Sequence, residues 1–279
     1  MKPLFFTAFL ALTSCAPAPL IYDIKDSVET TSASSDRIIE YRSLEPENCK
    51  DCPFIFFSHG ANAAYDRYDA LLIPLAKNGF HIVIPNHTDS EEHKTRDQYS
   101  LPQSLPTRLE DYELLLKKYA PESHFVIGHS YGAMIAQLTA GGTLSGPSNK
   151  YQVDPSLRPK SIIAISPPGP IPNYIEADGW SHVTQPSLIV TGTTDIVPGM
   201  TENWEDHLVS YNVAPSGSYA IIYDKMDHYM NGAYGRENQN TTIERQNAIS
   251  HLVSVVTNFM TAPNRVPTLQ EDFVEIRER

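Results

Sequence analysis

Two rhythms of apolar residues alternate along this chain. The first is the short continuous run: Phe54-Ile55-Phe56-Phe57, His81-Ile82-Val83-Ile84, His124-Phe125-Val126-Ile127, and residues 161–165, 187–190 and 218–223. Strands buried on both faces require such runs, and residues 37–42 read as a further strand ahead of them. The second rhythm has helical spacing: Tyr68, Leu71, Leu72 and Leu75, then Leu109, Tyr112, Leu116 and Tyr119. Residues 131–140 follow as a helix of small and apolar side chains, closed by Gly141-Gly142. A final helix over residues 243–260 sets Ile249, Leu252, Val253, Val256 and Met260 on one face. Pro85 stops one strand, and Thr107-x-x-Glu110 predicts a capping box opening the second helix. Alternating strands and helices predict an α/β fold, a mostly parallel sheet with helices on both faces.

The flanks lack either rhythm. Residues 16–36, rich in Ser, Thr, Ala and Pro, are expected to be a flexible tether, and the polar residues 261–279 a tail outside the core. The domain is therefore expected over residues 37–260. A chain of 279 residues suits one such domain, expected to be a monomer. Its formal net charge of -12 repels phosphate backbones, so nucleic acid is not an expected partner. No repeat of fixed period and no heptads are present.

The amino terminus reads as an export signal. Lys2 precedes the apolar residues 4–12, too short a run to span a bilayer. Leu12-Thr13-Ser14-Cys15 resembles the bacterial lipoprotein processing box. That resemblance implies cleavage before Cys15 and its lipidation, which anchors the protein on a membrane facing the periplasm or cell surface. Cleavage after Ala18, as in a simply secreted protein, would leave Pro19 first, a poor start. Cys49 and Cys52 have redox-motif spacing, but Pro53 and an apolar run follow them instead of a helix. A structural disulfide is expected; a zinc site would need two more ligands that cannot be assigned.

Gly128-His129-Ser130-Tyr131-Gly132 sits between a buried strand and a small-residue helix. A chain that turns this sharply holds its serine strained and exposed, aims a helix N-terminus at a developing oxyanion, and leaves no room for side chains at the glycines. Ser130 is thus a candidate nucleophile. Its base must follow a later strand at the same sheet edge. Of His182, His207, His228 and His251, only His228 does so; His207 lies in a helix-like stretch and His251 in mid-helix. The acid should leave the strand before, which selects Asp195 in Thr191-Gly192-Thr193-Thr194-Asp195. Asp178 is the substitute, and Asp227 adjoins His228 too closely to reach it. Backbone N–H groups of Tyr131 and Ala61, the latter in Phe57-Ser58-His59-Gly60-Ala61-Asn62, are the candidate oxyanion donors.

These four spaced segments resemble the α/β-hydrolase superfamily. Ser58-His59-Gly60, followed by residues 75–80 and Pro85-Asn86-His87, is similar to dienelactone-hydrolase-like and platelet-activating-factor-acetylhydrolase-like enzymes. The resemblance implies a serine esterase with the order Ser, Asp, His, acting on a small-molecule ester with no cofactor. Dienelactone hydrolases proper carry cysteine where this chain has Ser130, which argues against dienelactone as substrate. A rival of another class is a surface lipoprotein that keeps the fold for binding alone; a serine peptidase or lipase shares the fold. The segment His87-Thr88-Asp89-Ser90-Glu91-Glu92-His93 carries ligand-type side chains, yet reads as a solvated loop, with no metal assigned. Tyr174, Ile175 and Trp180 are candidates for contact with an acyl group.

Overall fold

The computed structural model describes residues 21–33, 37–235 and 242–279; Cys15 and the export segment lie outside them. Among the described residues nine strands form one sheet in the order β1-β2-β4-β3-β5-β6-β7-β8-β9. They are β1 (Ile24–Ser32), β2 (Ile38–Pro46), β3 (Phe54–Ser58), β4 (His81–Pro85), β5 (His124–His129), β6 (Ser161–Ile165), β7 (Ser187–Gly192), β8 (Tyr219–Tyr223) and β9 (Val274–Glu278). Strands β3 to β8 pair in parallel, while β1, β2 and β9 pair antiparallel at the margins. The six parallel strands are the six continuous apolar runs.

Because successive side chains of a strand point to opposite faces, each run feeds two cores. Ile55, Phe57, Ile127, Ile163 and Val190 face α1 (Asp69–Lys77) and α4 (Ile243–Thr261). Phe54, Phe56, Val126 and Ile162 face α2 (Leu101–Tyr119) and α3 (Tyr131–Thr139). Removing one such side chain from water typically contributes about 1.5–3 kcal/mol, so the sheet centre is the stable frame that carries the loops at its edge. Among the described residues no helix is long and apolar enough to cross a membrane.

The margins differ from expectation. Residues 24–32 are not tether but β1, paired along its whole length with β2. The polar residues that hid this strand hold it: Asp26 binds Arg42 at 2.7 Å, and the Tyr41 hydroxyl donates to Glu29 at 2.7 Å. Residues 261–279 are not all outside the core either. Val266 and Val274 are buried, and β9 pairs with β8. Charged edge strands lack an apolar run and resist pairing with other chains. Helix α2 begins six residues before Thr107, at Leu101, and its capping box is Ser100 with Gln103. Thr107 lies inside the helix, where its hydroxyl donates to the Ser104 carbonyl. Cys49 and Cys52 form the expected disulfide, in the turn between β2 and β3.

Candidate active site

Ser130 stands where β5 ends and α3 begins, with φ 54° and ψ -117°. L-residues avoid that backbone conformation, which costs on the order of 1–3 kcal/mol and persists only when the surroundings enforce it. The enforcement is visible. A Cβ at Gly128 would lie 2.0 Å from the Gly132 oxygen, and one at Gly132 would lie 1.9 Å from the Ser58 oxygen. The Ser130 N–H also donates to the Ile165 carbonyl at 2.8 Å. Both glycines are therefore needed for strand, turn and helix to pack this closely.

Asp195 leaves the end of β7 and is fully buried. One carboxylate oxygen accepts from His228 Nδ1 at 2.7 Å and from His207 Nε2 at 3.0 Å. The other accepts from the hydroxyls of Ser166 at 2.6 Å and Thr191 at 3.0 Å. Burial pushes this carboxyl up, but the bonds from the two histidines overcome it and hold it well below the usual carboxylate range. His228 follows β8. With Nδ1 committed to Asp195, its Nε2 has no hydrogen-bond partner among the described residues.

Ser130 and His228 both line one cavity of about 870 Å³, which Tyr131 and Ala61 also line. Leu101, Met134, Ile171, Tyr174, Val197 and Met200 make most of its wall apolar. The structure thus brings Ser130, His228, Tyr131 and Ala61 to one space, with Asp195 behind the imidazole. Asp178 is exposed on another turn. Asp227 is exposed and accepts from the N–H groups of Tyr229 and Asn231 in its own turn. His251 faces the Tyr223 hydroxyl and the Leu269 carbonyl. Tyr174 borders the cavity, whereas Ile175 and Trp180 are buried with Leu105 and Leu138 beside it.

A second polar layer, not foreseen in the sequence, fixes the loop that carries Ala61. Arg108 is wholly buried; it pairs with Asp89 at 2.8 Å and donates to the carbonyls of His59 at 2.7 Å and Gly60 at 3.2 Å. In a trans peptide the N–H points opposite the carbonyl. Binding the Gly60 carbonyl on the protein side therefore turns the Ala61 N–H the other way, and Ala61 borders the cavity. The loop is also tied to His228. The Gly60 N–H donates to the Tyr68 hydroxyl (2.9 Å), which donates to His129 Nδ1 (3.0 Å). His129 Nε2 meets the His228 carbonyl at 2.8 Å and must carry the proton, since a carbonyl only accepts. Burial first, and the neighbouring His228 second, push His129 down to about 3, so it stays neutral.

The segment expected to be a solvated loop is largely internal: His87, Thr88, Asp89 and Ser90 are buried. His87 binds Asp111, Asp89 binds Arg108, and Glu91 and Glu92 meet Arg67 at the surface. Only the apolar residues at helical spacing in α2 are legible; nothing in that spacing marks Arg108 as an inward charge. Thr191, four residues before Asp195, and His129 inside the glycine motif lay in segments already singled out. His207 stood among the candidate bases but had no sequence feature linking it to Asp195, and Ser166 carried no signal at all.

Comparison with solved structures supports the fold. A Klebsiella pneumoniae subsp. pneumoniae protein assigned as a dienelactone hydrolase shares 15% identity, with 85% of this chain and 99% of that one covered and a TM-score of 0.60. The Pyrococcus furiosus esterase Pf2001 shares 14%, covering 86% and 92%, at 0.57. Est1E from Butyrivibrio proteoclasticus, solved with ferulic acid, shares 14%, covering 83% and 97%, at 0.58. No curated protein sequence matches the chain. Residues 55–238, from β3 to beyond the His228 loop, match the profile described as the alpha/beta hydrolase family. The chain belongs to the alpha/beta hydrolase family.

Proposed function

We propose that the protein is a serine hydrolase that cleaves carboxylic esters of small molecules. In this reading Ser130 is the nucleophile, His228 the general base and Asp195 the residue that orients it. His228 Nε2 takes the Ser130 proton as the hydroxyl oxygen attacks the ester carbonyl carbon. The resulting oxyanion sits between the N–H groups of Tyr131 and Ala61, each typically worth ~3 kcal/mol in the transition state. Collapse expels the alcohol, protonated by His228, and leaves an acyl-enzyme. Water, deprotonated by the same imidazole, then releases the acid and restores Ser130. These steps use the chain's own groups and one water.

One observation carries the reading: the His228 imidazole is locked on Asp195 at 2.7 Å while its ring borders the cavity onto which strained Ser130 opens. The apolar wall favours an ester with an apolar acyl or alcohol part. The test is hydrolysis of p-nitrophenyl acetate and longer-chain homologues by the wild type and by Ser130→Ala. Turnover lost in the variant supports the reading. Folded wild type without turnover, or full activity in Ser130→Ala, overturns it and leaves a binding protein on this fold. Export and lipidation at Cys15 belong to the same proposal, supported by Leu12-Thr13-Ser14-Cys15. Cys15→Ser should then shift the protein from the membrane to the soluble fraction.

A further inference from the structure

His207 sits in the short turn Trp204–Leu208 between β7 and β8, 1% exposed and outside the cavity lining. Its Nδ1 lies 2.5 Å from the Pro167 carbonyl oxygen. Its Nε2 lies 3.0 Å from the Asp195 carboxylate and 3.2 Å from the Asp195 carbonyl oxygen. All these partners are oxygens that accept and have no proton to give. A neutral imidazole has one N–H and one lone pair, so either tautomer would press a nitrogen lone pair against an oxygen lone pair. Only the doubly protonated ring donates at both ends. Moving the spare proton onto Asp195 does not resolve this. That carboxylate already accepts from His228, Ser166 and Thr191, the surroundings of an ionised group.

We propose that His207 is a resident imidazolium, a positioning residue that clamps Asp195 from behind and fixes the carboxylate oxygen shared with His228. The claim of catalytic consequence rests on the proposed function; the claim of charge does not. The groups facing His207 across the packing are Asp195, His228, with ring centroids 5.9 Å apart, and His129 beyond; Glu205 and Asp206 adjoin it on its own turn. Among the described residues Asp195 is the one carboxylate within ion-pair distance of it. Burial opposes its charge, but the bond and charge of Asp195 outweigh burial and raise its proton affinity. A buried ion pair with both members otherwise satisfied is the arrangement in which such a charge survives.

Because His207 does not reach the cavity, removing it should spare substrate binding and loosen only the Asp195–His228 geometry. In His207→Gln one amide can still donate to Asp195, but the second donor and the charge are lost. We expect kcat to fall about tenfold with KM within about twofold, and His207→Leu to fall further, at least 10²-fold in kcat. A KM rise with kcat unchanged, or no change in either, overturns the positioning role. The charge is tested on the wild type alone. With ¹⁵N-histidine labelling and His207 assigned through its backbone, both ring nitrogens should show protonated shifts that stay constant from pH 5.5 to 8.5. One nitrogen in the unprotonated range at pH 7 overturns the proposal. This measurement involves no ester, so it fails or succeeds independently of the esterase reading and of whether the variants fold.

Discussion

Two serines of this molecule stand near a histidine that is bonded to a buried aspartate, and the two His–Asp contacts have the same length, 2.7 Å. In the first, the Ser58 hydroxyl meets His87 Nε2 at 3.0 Å, and His87 Nδ1 meets Asp111 at 2.7 Å. In the second, His228 Nδ1 meets Asp195 at 2.7 Å, and Ser130 shares the cavity wall with His228. The first set is sealed: Ser58, His87 and Asp111 have no exposed surface. Ser58 lies in the regular strand β3, and its oxygen already accepts from Arg108 at 3.1 Å. Ser130 instead stands at φ 54° on a cavity wall. The carboxyls diverge too. Burial pushes Asp111 up to about 6 against the pull of Arg37, whereas the bonds from His207 and His228 hold Asp195 well below the usual carboxylate range. Hydrogen-bond order therefore does not make a reactive serine. Access, a strained backbone and an imidazole nitrogen without a hydrogen-bond partner distinguish the second set among the described residues, and the proposed reactivity of Ser130 rests on them.

The sharpest way to break this comparison is a pair of substitutions. Ser130→Ala should lower kcat/KM on p-nitrophenyl esters by about 10⁴-fold or more, while Ser58→Ala should change it less than about tenfold. The reverse holds for stability. Ser58→Ala strips Arg108 and His87 of a buried partner and should cost about 1–3 kcal/mol in urea unfolding; Ser130→Ala should cost far less.

Acid sharpens the contrast further. Burial keeps His59, His87 and His129 neutral in the folded protein, His129 with a value of about 3. Unfolded histidine takes a proton near pH 6.5, so the unfolded chain binds more protons and stability falls as pH drops below that value. His129 alone should account for about 2 kcal/mol between pH 8 and pH 5. Urea titrations should therefore show a shallower pH dependence in His129→Asn, and an unchanged slope would contradict the neutral assignment. The smallest effect is a gain. Ser130→Gly relieves the positive φ and should stabilise the fold by roughly 0.4–1 kcal/mol while abolishing activity. Ser58→Gly, in a regular strand, should only destabilise.

The same contrast explains what the sequence made legible. Runs such as Phe54-Ile55-Phe56-Phe57 announced the six central strands, because a strand buried on both faces has no polar alternative. The edges β1 and β9 were not visible, since exposed positions there accept Glu, Thr and Arg. Chain order brought Ser130, Asp195 and His228 into view, each leaving the same edge of a parallel sheet. The polar groups behind them were not readable. Arg108 and Asp89 are 19 residues apart and His207 reaches Asp195 from a separate turn, pairings that exist only once the sheet has formed. Periodicity reports which positions face inward, not which charges meet there.

Ser130 and Ser58 can be told apart by which of them reacts. Folded wild-type protein treated with a fluorophosphonate and mapped by peptide mass should carry one adduct, on Ser130. It should vanish in Ser130→Ala and persist in Ser58→Ala. An adduct on Ser58, or folded protein that stays unlabelled at saturating probe, would contradict the proposed role of Ser130.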